Sequence, residues 1–416
     1  MGVGVAMKQY KTILLACAAI ACAAMFAGCT KDHGLHLSGV INFSASSRGG
    51  LSTKTVYGDV VPQTEEYGFQ ALNWELNDEI TIASPQSVVQ NDLSANPAHA
   101  SDYVIKNVES TGIPSKATVA NKLANGLMWM DGIKTYDFFA VYPSVGTEGT
   151  GLTLDPMNGK VSATIPAEQP LYGEPTSKVD PKYPENGVTY ASYAPDMKYA
   201  YMTAALKSFE PKDEQTRVPL YFFPAFTAFE FYISSQDDAI DLTEFEILSP
   251  ETDAIPGDKR DKLAGTFTMT AGDTDGRDAD HLTTAGNGNI ASVNASSATF
   301  SVKADLSAAD AIDDKNGLNF TVFTVPVTNQ YPLRIRFTSK DGEDGEGNVL
   351  TKTSYLDLKY SNKTEAGDNA GKPVQFLAGH KYVIHMLKLP AGQWKITIAA
   401  DIDVWDQVEE EIVIYI

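Results

Sequence analysis

Cysteine is scarce in this 416-residue chain, and of Cys17, Cys22 and Cys29 only the last stands where chemistry is expected. Lys8 and Lys11 give a short positive region, residues 12–26 are almost unbroken apolar and small sequence, and Ala27-Gly28 leads directly into Cys29. That apolar run is too short to cross a bilayer and ends on small residues, the pattern of a cleaved secretory signal. A cysteine directly after such a signal is the acceptor that bacterial lipoprotein export requires. The peptidase is expected to cut before Cys29, whose thiol then carries a diacylglycerol. The chain is thus expected to leave the cytoplasm and to meet a membrane through lipid, at least transiently. Cys17 and Cys22 depart with the signal at 1–28, so no intrachain disulfide is expected.

The remaining reactive side chains form no familiar engine. There is no Gly-x-Ser-x-Gly elbow, no His-Glu-x-x-His and no phosphate loop. His380 and His385 fall on one expected strand, where an odd separation places them on opposite faces and keeps them from sharing a metal. Both are expected at the surface or in loops. Two acidic stretches, 273–278 and 341–346, collect hard oxygen ligands, yet neither has the Asp-x-Asp-x-Asp-Gly spacing of a calcium loop, and solvated hairpin loops account for them. Five tyrosines at 183, 190, 193, 199 and 201 offer a second kind of site, an aromatic platform for sugar or protein. The formal charge of −21 argues against nucleic acid and anionic membrane surfaces as partners. No catalytic residue, cofactor or metal is expected.

These side chains must be carried by strands. Val, Ile, Phe, Tyr and Thr recur in short runs broken by Gly, Pro, Asn and Asp, which predicts an all-β protein. Helices are expected only at 117–127 and 307–311. Beyond the signal the chain is longer than one core usually organises, so two domains are expected, 29–212 and 213–416. A proline- and tyrosine-rich stretch at 166–201 reads as a long ordered loop or the edge of the first domain, leading into a linker at 210–217. Residues 137–142 read as a strand buried on both faces and stopped by Pro143. The run 218–234, interrupted by Pro224, reads as the strong opening of the second domain, with a bulge or edge at the proline.

The two ends of the chain form a suggestive pair. Residues 35–45 alternate in period two as a first strand and run into Ser46-Ser47-Arg48-Gly49-Gly50, a flexible segment that a trypsin-like protease would cut between Arg48 and Gly49. At the other end Trp394, Ile396, Ile398, Ala400, Ile402 and Val404 occupy every second position, and a second run carries Ile412 and Ile414 up to Ile416. Excising the first strand would open a groove of apolar pockets and unpaired backbone groups. An alternating strand of another copy would fill it by strand addition, head to tail and without closure. The plainer alternative is that both strands pair within their own domains.

Spread through the chain are Cys29, Ser52-Thr53-Lys54-Thr55, Leu72-Asn73-Trp74-Glu75, Asp78-Glu79-Ile80, and Phe138-Phe139-Ala140-Val141-Tyr142-Pro143. Later come Phe223-Pro224-Ala225-Phe226-Thr227-Ala228-Phe229-Glu230-Phe231, Leu377-Ala378-Gly379-His380-Lys381-Tyr382 and Asp403-Val404-Trp405. In this order and spacing the chain resembles the fimbrillin (FimA/Mfa-like) lipoproteins of Bacteroides-type bacteria, subunits of type V fimbriae. The resemblance implies two transthyretin-like β-sandwich domains in tandem and an adhesive fimbrium at the cell surface. It also implies an arginine-specific surface protease acting at Arg48, other fimbrial subunits as partners, and residues 394–416 as a donor-strand region. Lys54 stands where the family often has arginine. A different reading, from the tyrosines, is a monomeric surface lipoprotein that binds glycan or a host or bacterial surface protein.

Overall fold

The computed structural model describes residues 38–47, 56–62, 68–110, 115–180, 187–236, 239–251, 260–271, 290–293, 299–306, 309–325, 332–358, 376, 381–390, 393–400 and 414–415. Cys29, Arg48, Gly49, Ile402, Val404, Ile412 and the acidic stretch 273–278 lie outside the described residues. Nearly every described element is a strand, as the composition predicts.

Seven strands close into a barrel in the order Tyr136–Tyr142, Met202–Phe209, Arg217–Pro224, Asn42–Ser47, Ser115–Asn121, Ala100–Ser110 and Glu79–Ala83, which returns to Tyr136–Tyr142. Closure gives each stave a partner on both sides and leaves no raw edge. The staves pair antiparallel except where Arg217–Pro224 runs parallel to Asn42–Ser47. Strict alternation along these two staves turns Val218, Leu220 and Phe222, and Phe43 and Ala45, into one core with Trp74, Tyr103 and Phe138. The rings meet edge to face, Trp74 with Phe222 at 5.2 Å and Phe43 with Tyr103 and Phe138 at 5.1 and 5.4 Å. Such pairs contribute about 0.5–1.5 kcal/mol each beyond the area they bury. A small sheet of Gly39–Val40, Leu127–Trp129 and Val88–Val89 adds Leu127 and Trp129 to this core.

The second core lies among three sheets. The largest runs Tyr172–Val179, Thr189–Ala194, Asn316–Thr324, Thr227–Ser235, Lys381–Lys388, Trp394–Ala400 and Ile414–Tyr415. A five-stranded sheet runs Glu168–Pro170, Ser301–Asp305, Leu242–Leu248, Leu333–Glu343 and Val349–Leu358, and a four-stranded one runs Thr153–Leu154, Lys160–Ile165, Gly265–Thr270 and Ile290–Val293. Their inward residues meet in a single cluster, as where Phe231 touches Phe245 at 4.6 Å between the two larger sheets.

Thr227–Ser235 is buried along its whole length. Phe229, Phe231 and Ile233 enter the core, while Glu230 meets a polar cluster outside it. Lys381 Nζ stands 2.7 Å from one carboxylate oxygen of Glu230, and Lys178 Nζ 2.9 Å from the other. Asn319 Nδ2 donates to the same oxygen as Lys178 at 3.0 Å, and Ser192 Oγ donates to Asn319 Oδ1 at 2.6 Å. Burial alone would raise the Glu230 carboxyl; the charges of Lys381 and Lys178 overcome it and hold the group far below the usual carboxylate range. Next to it Asp180 pairs with His385 at 2.9 Å, and the His385 ring stacks on Tyr232 at 5.1 Å.

Several expectations change. Residues 117–127 are not a helix: Ser115–Asn121 is a barrel stave paired on both sides, so tertiary pairing overrides the helix preference of its Ala and Lys residues. Ala309–Ala311, the described part of the other expected helix, is not helical either. The stretch at 166–201 is no loop but contributes Glu168–Pro170, Tyr172–Val179 and Thr189–Ala194 to the sheets of the second core. The boundary at 212 therefore does not match the sheets. Lys160–Ile165 pairs with Gly265–Thr270 and Thr189–Ala194 with Asn316–Thr324, whereas Arg217–Pro224 returns to the barrel. Pro224 marks the end of a stave where the chain crosses between cores, not a bulge within one strand. The first expected sandwich is closed as a barrel. His385 is buried rather than exposed.

Candidate functional site

The chain-end strands are the features that the expected assembly chemistry needs. Asn42–Ser47 forms the stave between Arg217–Pro224 and Ser115–Asn121. Its register is Asn42 to Arg217 through Ser47 to Phe222 on the parallel side, and Phe43 to Val119 through Ser47 to Ser115 on the antiparallel side. Ile41, Phe43, Ala45 and Ser47 are all buried, while Asn42 is exposed and Ser44 and Ser46 are half-buried. Just before the strand, Ser38 donates from its amide to Glu214 at 2.9 Å, and Ile41 from its amide to Leu127 O at 2.8 Å.

The walls around this stave are graded. Phe43 lies between Val119 and Val218 in register and against Tyr103 and Phe138. Burial pushes the Tyr103 phenol above its usual range, opposed by the Leu127 amide that donates to it at 2.8 Å. Ala45 lies between Ala117 and Leu220, and Ser47 between Ser115 and Phe222. Ser115 is itself committed, its Oγ accepting from the Trp74 amide at 3.1 Å and donating to Ser110 O at 3.0 Å. Arg217 and Glu109 pair at 3.2 Å beside the stave, but both are well exposed, so the pair adds little.

At the other end, Trp394–Ala400 pairs antiparallel with Lys381–Lys388 along its whole length. Trp394 and Ile396 lie in the second core, with Trp394 edge-on to Phe337 at 4.8 Å. Ile398 stands in the same strand opposite Ile384. Ile414–Tyr415 folds back and pairs with this strand at two positions, Ile396 to Ile414 and Lys395 to Tyr415. The expected donor region is thus divided: its first part is a full member of its own sheet, and its last is a short addition at the sheet's edge.

The first strand extends further than its sequence announced. Alternation continues through Ser47, so Ser46 and Ser47 belong to the stave rather than to a flexible segment. The wall residues Leu220 and Ala117 arrive from distant strands, so nothing local marks them as walls of this stave; the alternation of 218, 220 and 222 is the signal the sequence offers. Of the five tyrosines, Tyr190, Tyr193, Tyr199 and Tyr201 are buried and offer no platform; Tyr183 lies outside the described residues. Tyr201, for example, donates to Thr164 O at 2.6 Å. In the stretch 341–346, Asp344 accepts from the Asn348 side chain at 2.8 Å and from the amides of Glu346 and Asn348, as a hairpin-loop residue does. Among the described residues no group of three or more His, Cys, Asp or Glu side chains could hold a metal ion. No helix among them is long and apolar enough to cross a membrane.

No family model matches the chain, and no curated protein matches it. Solved structures do. The chain is similar to a candidate cell adhesion protein of Bacteroides ovatus, with 14% identity and a TM-score of 0.42, covering 89% of this chain and 99% of that one. A candidate cell adhesion protein of Bacteroides uniformis gives 14% identity and a TM-score of 0.41 over 88% and 98% of the two chains. The tip fimbrial protein Mfa3 of Porphyromonas gingivalis, with a C-terminal truncation, gives 8% and 0.35 over 87% and 100%. At these values the strands of the chain itself carry the functional argument. What they define is an all-β protein built on a closed barrel and a second, multi-sheet core.

Proposed function

We propose that the chain is a non-enzymatic subunit of an adhesive cell-surface fimbrium. On this reading it is exported as a lipoprotein on Cys29, cut by an arginine-specific protease between Arg48 and Gly49, and joined head to tail to other fimbrial subunits by strand replacement. The finer view of its halves as tandem transthyretin-like units belongs to the same reading. One observation carries it: the first strand is a complete stave whose removal would leave a slot with backbone partners on both sides and the Phe43 pocket in its floor. A slot of that kind accepts one thing well, an extended strand with alternate apolar residues. On the donor side, Ile412 and Ile414 are the residues we assign to the donated run; among the described residues Ile414–Tyr415 is paired at two positions. Withdrawing Trp394, Ile396 and Ile398 would instead dismantle part of the chain's own sheet.

The test is the N-terminus of the protein recovered from its native cell surface, read by mass spectrometry. A chain beginning at Gly49 is the expected result. A chain that always begins at lipidated Cys29 and still assembles with other subunits would refute strand replacement at this site.

A further inference from the structure

The slot left by the first strand is not uniform, and its taper bears on what can enter it. Resting on the strand-replacement reading above, we propose that the slot selects a strand from a different protein and rejects the terminal strand of a second copy of this chain. The inward residues of the resident strand run Ile41, Phe43, Ala45, Ser47: two large, then two small, all at most 1% exposed. The change in size follows from the walls. At the Phe43 level Val119 and Val218 flank a space bounded by Tyr103 and Phe138, which a ring fills. One step on, Leu220 stands opposite Ala45, and a further step on Phe222 stands opposite Ser47 with Trp74 at 5.2 Å behind it. Large wall residues have taken the volume that the strand gave up. An incoming strand must therefore present a large, a large, a small and a small residue at alternate positions.

The terminal run of this chain does not. Ile412, Ile414 and Ile416 are branched and large at every second position. With Ile412 and Ile414 at the first two sites, Ile416 would fall at the Ala45 site, where closely packed interiors resist added methylenes. Running the tail in the opposite direction meets the same obstacle, since it contains no alternate pair of small residues. Trp394, Ile396, Ile398 and Ala400 supply one small residue, but Ile402 then falls at the Ser47 site, and the strand is already committed to its own sheet. The partner that fits is a subunit of another sequence whose donor strand carries aromatic or branched residues followed by Ala, Ser or Gly on the same face.

Two measurements test this. In the first, the full chain is cleaved after Arg48, unfolded in urea, separated from its first strand and refolded with labelled peptides. The peptides are residues 39–47, the same peptide with Ala45→Ile and Ser47→Ile, and residues 408–416. The 39–47 peptide should be captured, and the other two should bind at least about tenfold more weakly. Equal capture of the 408–416 peptide overturns the selectivity and leaves strand replacement standing; failure to capture the 39–47 peptide overturns strand replacement itself. In the second, the uncleaved chain carries Ala45→Ile or, as control, the outward Ser44→Ile. The first should lower the unfolding midpoint and the second should not. An unchanged midpoint for Ala45→Ile overturns the taper.

Discussion

Replacing Glu230 by Gln tests how the polar cluster on the Thr227–Ser235 strand is held. Lys381 is 3% exposed at its side chain and Glu230 5%, so the variant leaves an ammonium group buried without its carboxylate. Removing one partner of a buried ion pair costs about 3–5 kcal/mol. Lys381→Met should cost less, about 1.5–3 kcal/mol, because Glu230 keeps Lys178 and Asn319 as partners. Lys178 is 38% exposed and contributes at the modest level of a surface pair, roughly 0–1 kcal/mol. Replacing Glu230 and Lys381 together by leucine should recover most of the loss, since both desolvation penalties vanish at once. Urea unfolding at neutral pH measures all three, and with the Glu230→Leu and Lys381→Leu singles added, the departure of the double variant from their sum is the coupling. The acid limb supplies an independent reading. Glu230 is depressed in the folded state, so its contribution is complete above the ordinary carboxylate range and fades as pH falls from there toward its folded value. The gap between the natural chain and Glu230→Gln should therefore narrow on acidification. A Gln variant within about 1 kcal/mol of the natural chain, or a double variant no better than the worse single, would refute the reasoning.

Phe43→Ala should lower stability by about 3–5 kcal/mol, read from the unfolding midpoint, because it empties a core position bounded by two aromatic rings. Gly159→Ala combines a φ of +69° with a Cβ that would lie 2.3 Å from the Phe139 ring, and should cost about 2–4 kcal/mol. Adding Phe139→Ala should relieve the clash, so the pair should cost less than the sum of the two, by the same unfolding measurement.

What the sequence made legible was whatever depends on neighbours in the chain. Tyr136–Tyr142 was readable because five of its seven residues are apolar and run together, as a strand covered on both faces demands. Asn77-Asp78 reads as a turn between two apolar patches; the turn falls one residue earlier, at 76–77, and Asn77 takes the positive φ of 73° that such a residue tolerates. The grouping of strands was not. Thr189–Ala194 joins Asn316–Thr324, Glu168–Pro170 joins Ser301–Asp305, and Arg217–Pro224 joins Asn42–Ser47, each in parallel and each across more than a hundred residues. Parallel pairs have no local turn to announce them. For the same reason 218–234 looked like one element, although Arg217–Pro224 and Thr227–Ser235 serve different cores. Of the candidate site, the period-two rhythm of both chain ends was visible; the graded walls were not, because Leu220, Phe222 and Ala117 arrive from elsewhere.

That crossing at Ala225-Phe226 has a mechanical meaning. Arg217–Pro224 lies parallel to Asn42–Ser47 over six register positions, and Thr227–Ser235 lies parallel to Lys381–Lys388 over eight. Lys381–Lys388 in turn holds the Trp394–Ala400 strand that leads to the terminal run. Residues 217–235 are therefore a single tie rod between the slot at one end of the chain and the tail at the other. Tension entering through a strand in the slot reaches the tail along covalent backbone and two lateral seams, each pulled lengthwise so that its hydrogen bonds share the load in shear.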